Sequence, residues 1–116
     1  MHELSITREI LDKVLIAAKA NNAKSVNKIH IKIGDFTGFV PDCIEFYFDL
    51  LAKNTIAENA VLEFERIPLV LYCSECDYKF TPSGFPLSFA CPRCNVVRNE
   101  LISGKELSIE DIEIDT

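Results

Sequence analysis

Two cysteine pairs carry the plainest chemistry in this sequence, Cys73-Ser74-Glu75-Cys76 and Cys91-Pro92-Arg93-Cys94. Each Cys-x-x-Cys turn can clamp one edge of a tetrahedron, with thiolates about 2.3 Å from Zn2+. The turns are separated by 14 residues, a spacing that a short hairpin can bridge. Four thiolates fill the coordination sphere and leave no position for water or substrate, so the expected ion is a structural Zn2+. An iron ligand set and a thiol redox pair are the alternatives open to the same residues. Lys79 and Arg93 lie beside the turns and read either as compensation for thiolate charge or as solvent-facing cations. The fifth cysteine, Cys43, reads as a small apolar filler on the core side of a helix.

A second constellation is Met1-His2-Glu3. With histidine in second place, the Met1 amine, the His2 backbone nitrogen and His2 Nδ1 can form two fused chelate rings, and Glu3 can add its backbone nitrogen or its carboxylate. Nitrogen-rich, tetragonal donor sets suit Ni2+ and Cu2+ better than Zn2+. An exposed clip of this kind can release its ion, and uptake should weaken as pH falls through the imidazole and amine range. The same three residues also read as a frayed polar terminus, and the residues alone leave both readings open. His30, between Lys28 and Lys32, reads as a solvated surface histidine. Glu106, Glu110, Asp111, Glu113 and Asp115 read as the wet side of a last strand.

These residues need elements to position them. Leu4, Ile10, Leu11, Val14, Leu15 and Ala18 recur at helical spacing and predict an amphipathic helix closed by Asn21-Asn22. The alternation in Lys28-Ile29-His30-Ile31-Lys32-Ile33 predicts a half-buried strand. Pro41 opens a second helix expected to run to about residue 54, with Cys43, Ile44, Tyr47, Phe48, Leu50 and Leu51 making a broad buried face. Strands are expected over 61–66 and 69–72, and again over 107–114, where a bulge between Ile109 and Ile112 would keep both apolar pairs inward. Between them Pro82, Gly84, Pro86 and Pro92 break regular structure, and an insertion this short needs metal as its staple.

With 116 residues, nearly half of them apolar, one compact unit is the expectation. The net charge of −6 opposes loose binding to nucleic acid or anionic lipid, so proteins or cations are the expected partners. No positive n-region with a following apolar run marks the start, and no segment reaches membrane-spanning length. The expected location is therefore the cytoplasm, where paired thiols are more often metal ligands than disulfides.

Taken together, the start Met1-His2-Glu3 and the late cysteine turns resemble the HypA/HybF family of hydrogenase nickel-incorporation proteins. The match extends through Gly34-Asp35, Gly38, Pro41 and Phe46-Tyr47-Phe48. It continues with Glu58-Asn59-Ala60, Ile67-Pro68 and Gly104-Lys105-Glu106-Leu107. Asn59 stands where the family usually has glycine, and asparagine is the next residue to tolerate a left-handed turn. Cys76 and Cys94 are followed by Asp77 and Asn95, where some relatives carry histidine, so no exchange of thiolate for histidine is expected.

The resemblance implies an α/β (α+β) fold of two helices on a three-stranded sheet. Residues 1–68 with 99–116 would form the nickel domain, and 69–98 an inserted zinc ribbon. It also implies a non-enzymatic nickel metallochaperone with transferable Ni2+ at Met1, His2 and Glu3 and structural Zn2+ at Cys73, Cys76, Cys91 and Cys94. The implied partners are a hydrogenase maturation GTPase and the [NiFe] hydrogenase large subunit precursor, with a urease accessory protein in some members. Nucleic acid and membrane are not among them. A zinc-ribbon module for protein or nucleic acid and a thiol oxidoreductase using Cys73 and Cys76 are the competing readings.

Overall fold

The computed structural model describes residues 3–116. Its elements run α1 (Glu3–Ala20), β1 (Ser25–Gly34), α2 (Pro41–Leu51), β2 (Val61–Ile67), β3 (Val70–Cys73), β4 (Tyr78–Phe80), β5 (Glu100–Ser103) and β6 (Leu107–Asp115). The strands form two three-stranded sheets, β2-β1-β6 and β4-β3-β5. This is the expected α+β class, with two helices, a three-stranded sheet and a separate cysteine-bearing ribbon. The chain divides into two compact units, one made of the segments through Lys32, Gly38–Glu65 and Ser108–Thr116, the other of Ile33–Thr37 and Arg66–Leu107.

In the first unit the buried stripe of α1 is Thr7, Ile10, Leu11, Val14 and Ala18, and that of α2 is Ile44 and Phe48. Val26, Ile29 and Ile31 of β1 are fully buried with them. The helix α1 ends in a Schellman pattern, with Ala23 N–H donating to Ala18 O at 3.0 Å and Asn22 N–H to Lys19 O at 3.1 Å. Asn22 takes the left-handed conformation that this ending demands, with φ of 57°. Thr7 is the one buried polar side chain among the described residues, and its hydroxyl is satisfied by donating to Glu3 O one turn back.

Three expectations for this unit need correction. Helix α2 stops at Leu51 instead of residue 54, because Thr55 N–H and its hydroxyl both turn back onto Ala52 O, at 3.0 and 2.7 Å. Cys43 and Leu50 are exposed, not core, since the inward stripe at helical spacing passes through Ile44, Phe48 and Ala52. His30 is only 28% exposed and bridges two strands: Nε2 lies 3.5 Å from Glu65 and Nδ1 3.5 Å from Asp111.

His30 stands in a charge ladder. Lys28 pairs with Glu63 and Glu113 at 3.4 and 3.7 Å, and Lys32 with Glu110 at 3.2 Å. Acidic strands thus flank a basic central one, an arrangement that sets cross-strand partners but contributes little at exposed pairs. The consecutive residues Glu110 and Asp111 both reach this wet face, while Ile109 and Ile112 are both partly buried, the phase change expected of a bulge.

The second unit is built around β3. Its register pairs Leu71 with Phe80 on β4 and with Leu101 on β5. Leu69, Leu71, Cys73, Phe80 and Cys91 form its core, with Cys76, Tyr78 and Val96 packed against it. Two strands go beyond the sequence reading: β4 falls within 73–98, which reads as irregular, and β5 falls in 99–106, to which the sequence reading assigns no element. Three or four residues are too few for a periodic signal to stand out.

Gly34 and Gly104 meet closely in this unit. A Cβ on Gly34 would land on the Gly104 carbonyl, and one on Gly104 would lie 2.7 Å from Leu69 Cα. Replacing Gly34 with alanine forces backbone apart from backbone, which no rotamer change can relieve. Gly34→Ala is expected to lower stability by about 2–3 kcal/mol, read from urea unfolding at fixed zinc concentration.

Candidate metal centre

The first cysteine turn hangs from the end of β3, which places Cys73 in the buried core before the chain turns to enter β4. Tyr72 on β3 donates its hydroxyl to Asp77 Oδ1 at 2.7 Å, tying the far side of the turn back to the strand. Cys91, Pro92, Arg93 and Cys94 form the second turn. Here Cys91 N–H donates to Val96 O at 2.9 Å, and Asn95 N–H donates to Cys91 O at 2.8 Å.

The residues after the two turns, Asp77 and Asn95, hold left-handed backbone with φ of 53° and 63°. Aspartate and asparagine are the non-glycine residues that tolerate it best, because short polar side chains bond locally. In the sequence the legible signal for this role is an aspartate or asparagine directly after the second cysteine of each turn.

The four sulfurs converge. Their Sγ atoms all lie within 4.8 Å of one another, with Cys73 to Cys94 at 3.5 Å and Cys76 to Cys91 at 3.4 Å. Thiolates about 2.3 Å from a tetrahedral ion stand about 3.8 Å apart, so the set fits a single Zn2+ with small adjustments. No other described residues gather three ligating groups in this way. Zinc in such a cage polarises nothing for reaction, because every position is taken by sulfur.

The protons on these thiols are unequal. Burial pushes Cys76 up to about 12, reinforced by its hydrogen bonds to Cys91, Cys73 and Cys94. Burial would also raise Cys91, but the backbone N–H groups of Arg93 and Cys94, helped by the neighbouring thiols, bring it down to about 7. Arg93 N–H reaches Cys91 Sγ at 3.4 Å. The backbone N–H groups thus favour the Cys91 thiolate, and a cation must displace the remaining thiol protons as it binds.

Arg93 resolves one open alternative. Its guanidinium lies 4.7 Å from the centre of the Tyr78 ring, a cation–π contact, so its assistance to sulfur comes through the backbone. Lys79 is exposed on β4. Cys43, in the other unit, is not part of the group.

Asn99 braces the second turn. Its single Nδ2 donates to Phe89 O at 2.9 Å and to Val96 O at 2.8 Å, the carbonyls on either side of Cys91 and Cys94. Its Oδ1 is buried with no partner among the described residues.

Of the other expected site residues, Met1 and His2 lie outside the described residues. Glu3 opens α1, and its carboxylate accepts a hydrogen bond from Val40 N–H at 3.3 Å.

The family model described as hydrogenase/urease nickel incorporation, metallochaperone, hypA, matches residues 1–114. This chain belongs to the HypA family. A hydrogenase maturation factor HypA of Dehalococcoides mccartyi strain CBDB1 is 44% identical, with 99% of this chain and 95% of that protein covered. One from Caldanaerobacter subterraneus is 38% identical, covering 99% and 100% of the two chains. Among solved structures, the nickel metallochaperone HypA from Helicobacter pylori superimposes with a TM-score of 0.68 over 99% of this chain and 98% of its own. At 20% identity that likeness speaks for the fold. HypA is a metallochaperone family, and its nickel cargo and a cysteine cage suited to structural zinc account for both metals expected here. No helix among the described residues is long and apolar enough to cross a membrane.

Removing the brace should loosen the cage without touching a ligand. Asn99→Ala is expected to hold zinc about tenfold less tightly, measured by competition with a chromophoric chelator, because the Val96 carbonyl that anchors Cys91 N–H loses its other donor. Unchanged retention would mean that the brace is idle.

Proposed function

We propose that this chain takes up Ni2+ at its N-terminus and, with a GTPase accessory protein, delivers it to the [NiFe] hydrogenase large subunit precursor. The ligands are the Met1 amine, the His2 backbone nitrogen and Nδ1, and Glu3. Cys73, Cys76, Cys91 and Cys94 hold a permanent Zn2+. The domain boundaries are those expected from the sequence, 1–68 with 99–116 for nickel and 69–98 for zinc. The observation that carries this reading is the HypA match, which runs through the terminus as well as the cysteine turns. Urease stands beside hydrogenase in that family's description, and an accessory protein of urease is the second candidate recipient.

The chemistry of the two donor sets supports a division of labour. Closed tetrahedral thiolate holds zinc tightly and offers incoming ligands no position. An amine, an amide nitrogen and an imidazole at a chain end favour nickel and leave edges that a recipient can attack. Nickel must displace protons from these donors, so loading should fail as pH falls through the imidazole range and return when pH is raised.

A nucleic-acid role for the ribbon has less support. The second unit carries five basic and five acidic residues, so the whole net charge of −6 lies on the first. A balanced ribbon with added thiolate charge has no excess of cations to release phosphate counterions.

Nickel titration by calorimetry of untagged protein tests the terminal site against His2→Ala and against a form with extra residues before Met1. Both changes should abolish stoichiometric high-affinity binding. Retention in either would show that the ligands are elsewhere. For the zinc ribbon we propose a docking or reporting role, transmitted through the linking segments near Pro68 and Asn99, since a closed site has no chemistry of its own. Cys91→Ala should therefore impair hydrogenase maturation in cells, and normal maturation would remove that role.

A further inference from the structure

Helix α2 carries more apolar surface than the core takes up. Its inward stripe, with the residue that follows the helix, is Ile44, Phe48 and Ala52, all buried. A second stripe, Cys43, Phe46, Tyr47 and Leu50, follows the helical spacing i, i+3, i+4 and i+7 and spans roughly 100° of arc. Phe46 is 62% exposed and Leu50 49%, and Cys43 is exposed beside them. The Phe46 and Tyr47 rings meet edge to face with centroids 5.6 Å apart, so the largest side chains of this stripe are ordered against each other. Leu51 carries the apolar surface on into a groove that it lines with Leu4, Ser5, Arg8 and Glu9 of α1. Single apolar residues on a surface need no explanation, but a stripe at helical spacing that continues into a groove does.

Charge and backbone chemistry narrow what can cover this face. Asp42, Glu45 and Asp49 form the row next to the stripe, all exposed, and no cation pairs with them among the described residues. Lys53 ends that row, while Arg8 and Glu9 offset each other in the groove. The unit that contains α2 also holds the whole net charge of −6. A second copy would set Glu45 and Asp49 against the same two carboxylates, a like-charge contact. A partner whose own apolar face is flanked by cations meets attraction instead. The side of a helix offers no free backbone N–H or C=O, so the occupant has to satisfy its own, as a helix does and an extended peptide does not.

We propose that the outer face of α2 docks a cationic amphipathic helix of a partner protein, with Phe46 and Leu50 as apolar anchors and Asp42, Glu45 and Asp49 as the charged guide. Apolar residues of the incoming helix lie along the stripe, and its lysines or arginines meet the carboxylate row. The anchors supply affinity, and the charges set orientation and choice of partner. The face uses no metal ligand, so it stands apart from both metal sites.

The test uses full-length, zinc-loaded protein and two fluorescein-labelled model peptides, a Leu/Lys amphipathic helix and its Leu/Glu counterpart. In anisotropy titrations the Leu/Lys helix should bind about tenfold more tightly than the Leu/Glu helix. Phe46→Ser and Leu50→Ser, both at exposed side chains, should each weaken that binding about tenfold while circular dichroism and zinc content stay unchanged. Glu45→Lys combined with Asp49→Lys should reverse the preference between the two peptides. With the other cysteines on zinc, Cys43 is the free thiol of the stripe, and the Leu/Lys helix should slow its alkylation by iodoacetamide, read by mass spectrometry. Failure of the Leu/Lys helix to bind, equal binding of the two peptides, indifference to both serine variants, or unslowed alkylation of Cys43 would each overturn the proposal. So would a concentration-dependent dimer in sedimentation that Leu50→Ser abolishes, which would give the face to a second copy.

Discussion

Four sulfurs within 4.8 Å of one another form an arrangement that only a cation can hold once they ionise, and the ribbon unit depends on it. Five side chains make up the core of that unit, and two of them, Cys73 and Cys91, are ligands in the cage. A few leucines and one phenylalanine are too little apolar surface to order more than forty residues against chain entropy. The metal therefore does for this unit what apolar burial does for the other. Its binding energy is folding energy, since the sulfurs meet only in the folded chain.

Around the cage, the two turns are made alike although their sequences differ. Each places an acid or amide, Asp77 or Asn95, in left-handed backbone directly after its second cysteine. Each is then anchored by a side chain outside the turn, Tyr72 through Asp77 for the first and Asn99 through Val96 for the second. In the folded ribbon these contacts hold the sulfurs in position, adding to what the ion supplies.

What could be read from the sequence follows the strength of the local signal. The two long helices declare themselves because their period persists over several turns, β1 because its alternation is strict from Lys28 to Ile33, and Asn59 takes the left-handed turn that its type allows, with φ of 68°. The cysteine turns are equally plain, since their chemistry lies in the spacing itself. Cys43 is exposed although its type and place suggest burial, because it stands one position off the buried stripe and a rotation of one residue decides its side. The partners of His30 are hidden for a related reason: alternation gives the face of a strand but not its neighbours, and Glu65 and Asp111 come from strands far off in the chain. Asn99 and Glu3 depend on contacts that no local pattern encodes.

On the proposed reading, the separation of the two metals is itself a selective device. Divalent first-row ions compete for any open nitrogen or sulfur site in an order set mainly by the metal, so a protein discriminates by geometry and by which sites are open. A tetrahedral thiolate cage already filled with zinc removes the protein's softest donors from competition for nickel. What remains for an incoming ion is a terminal set of nitrogen donors whose geometry zinc does not favour.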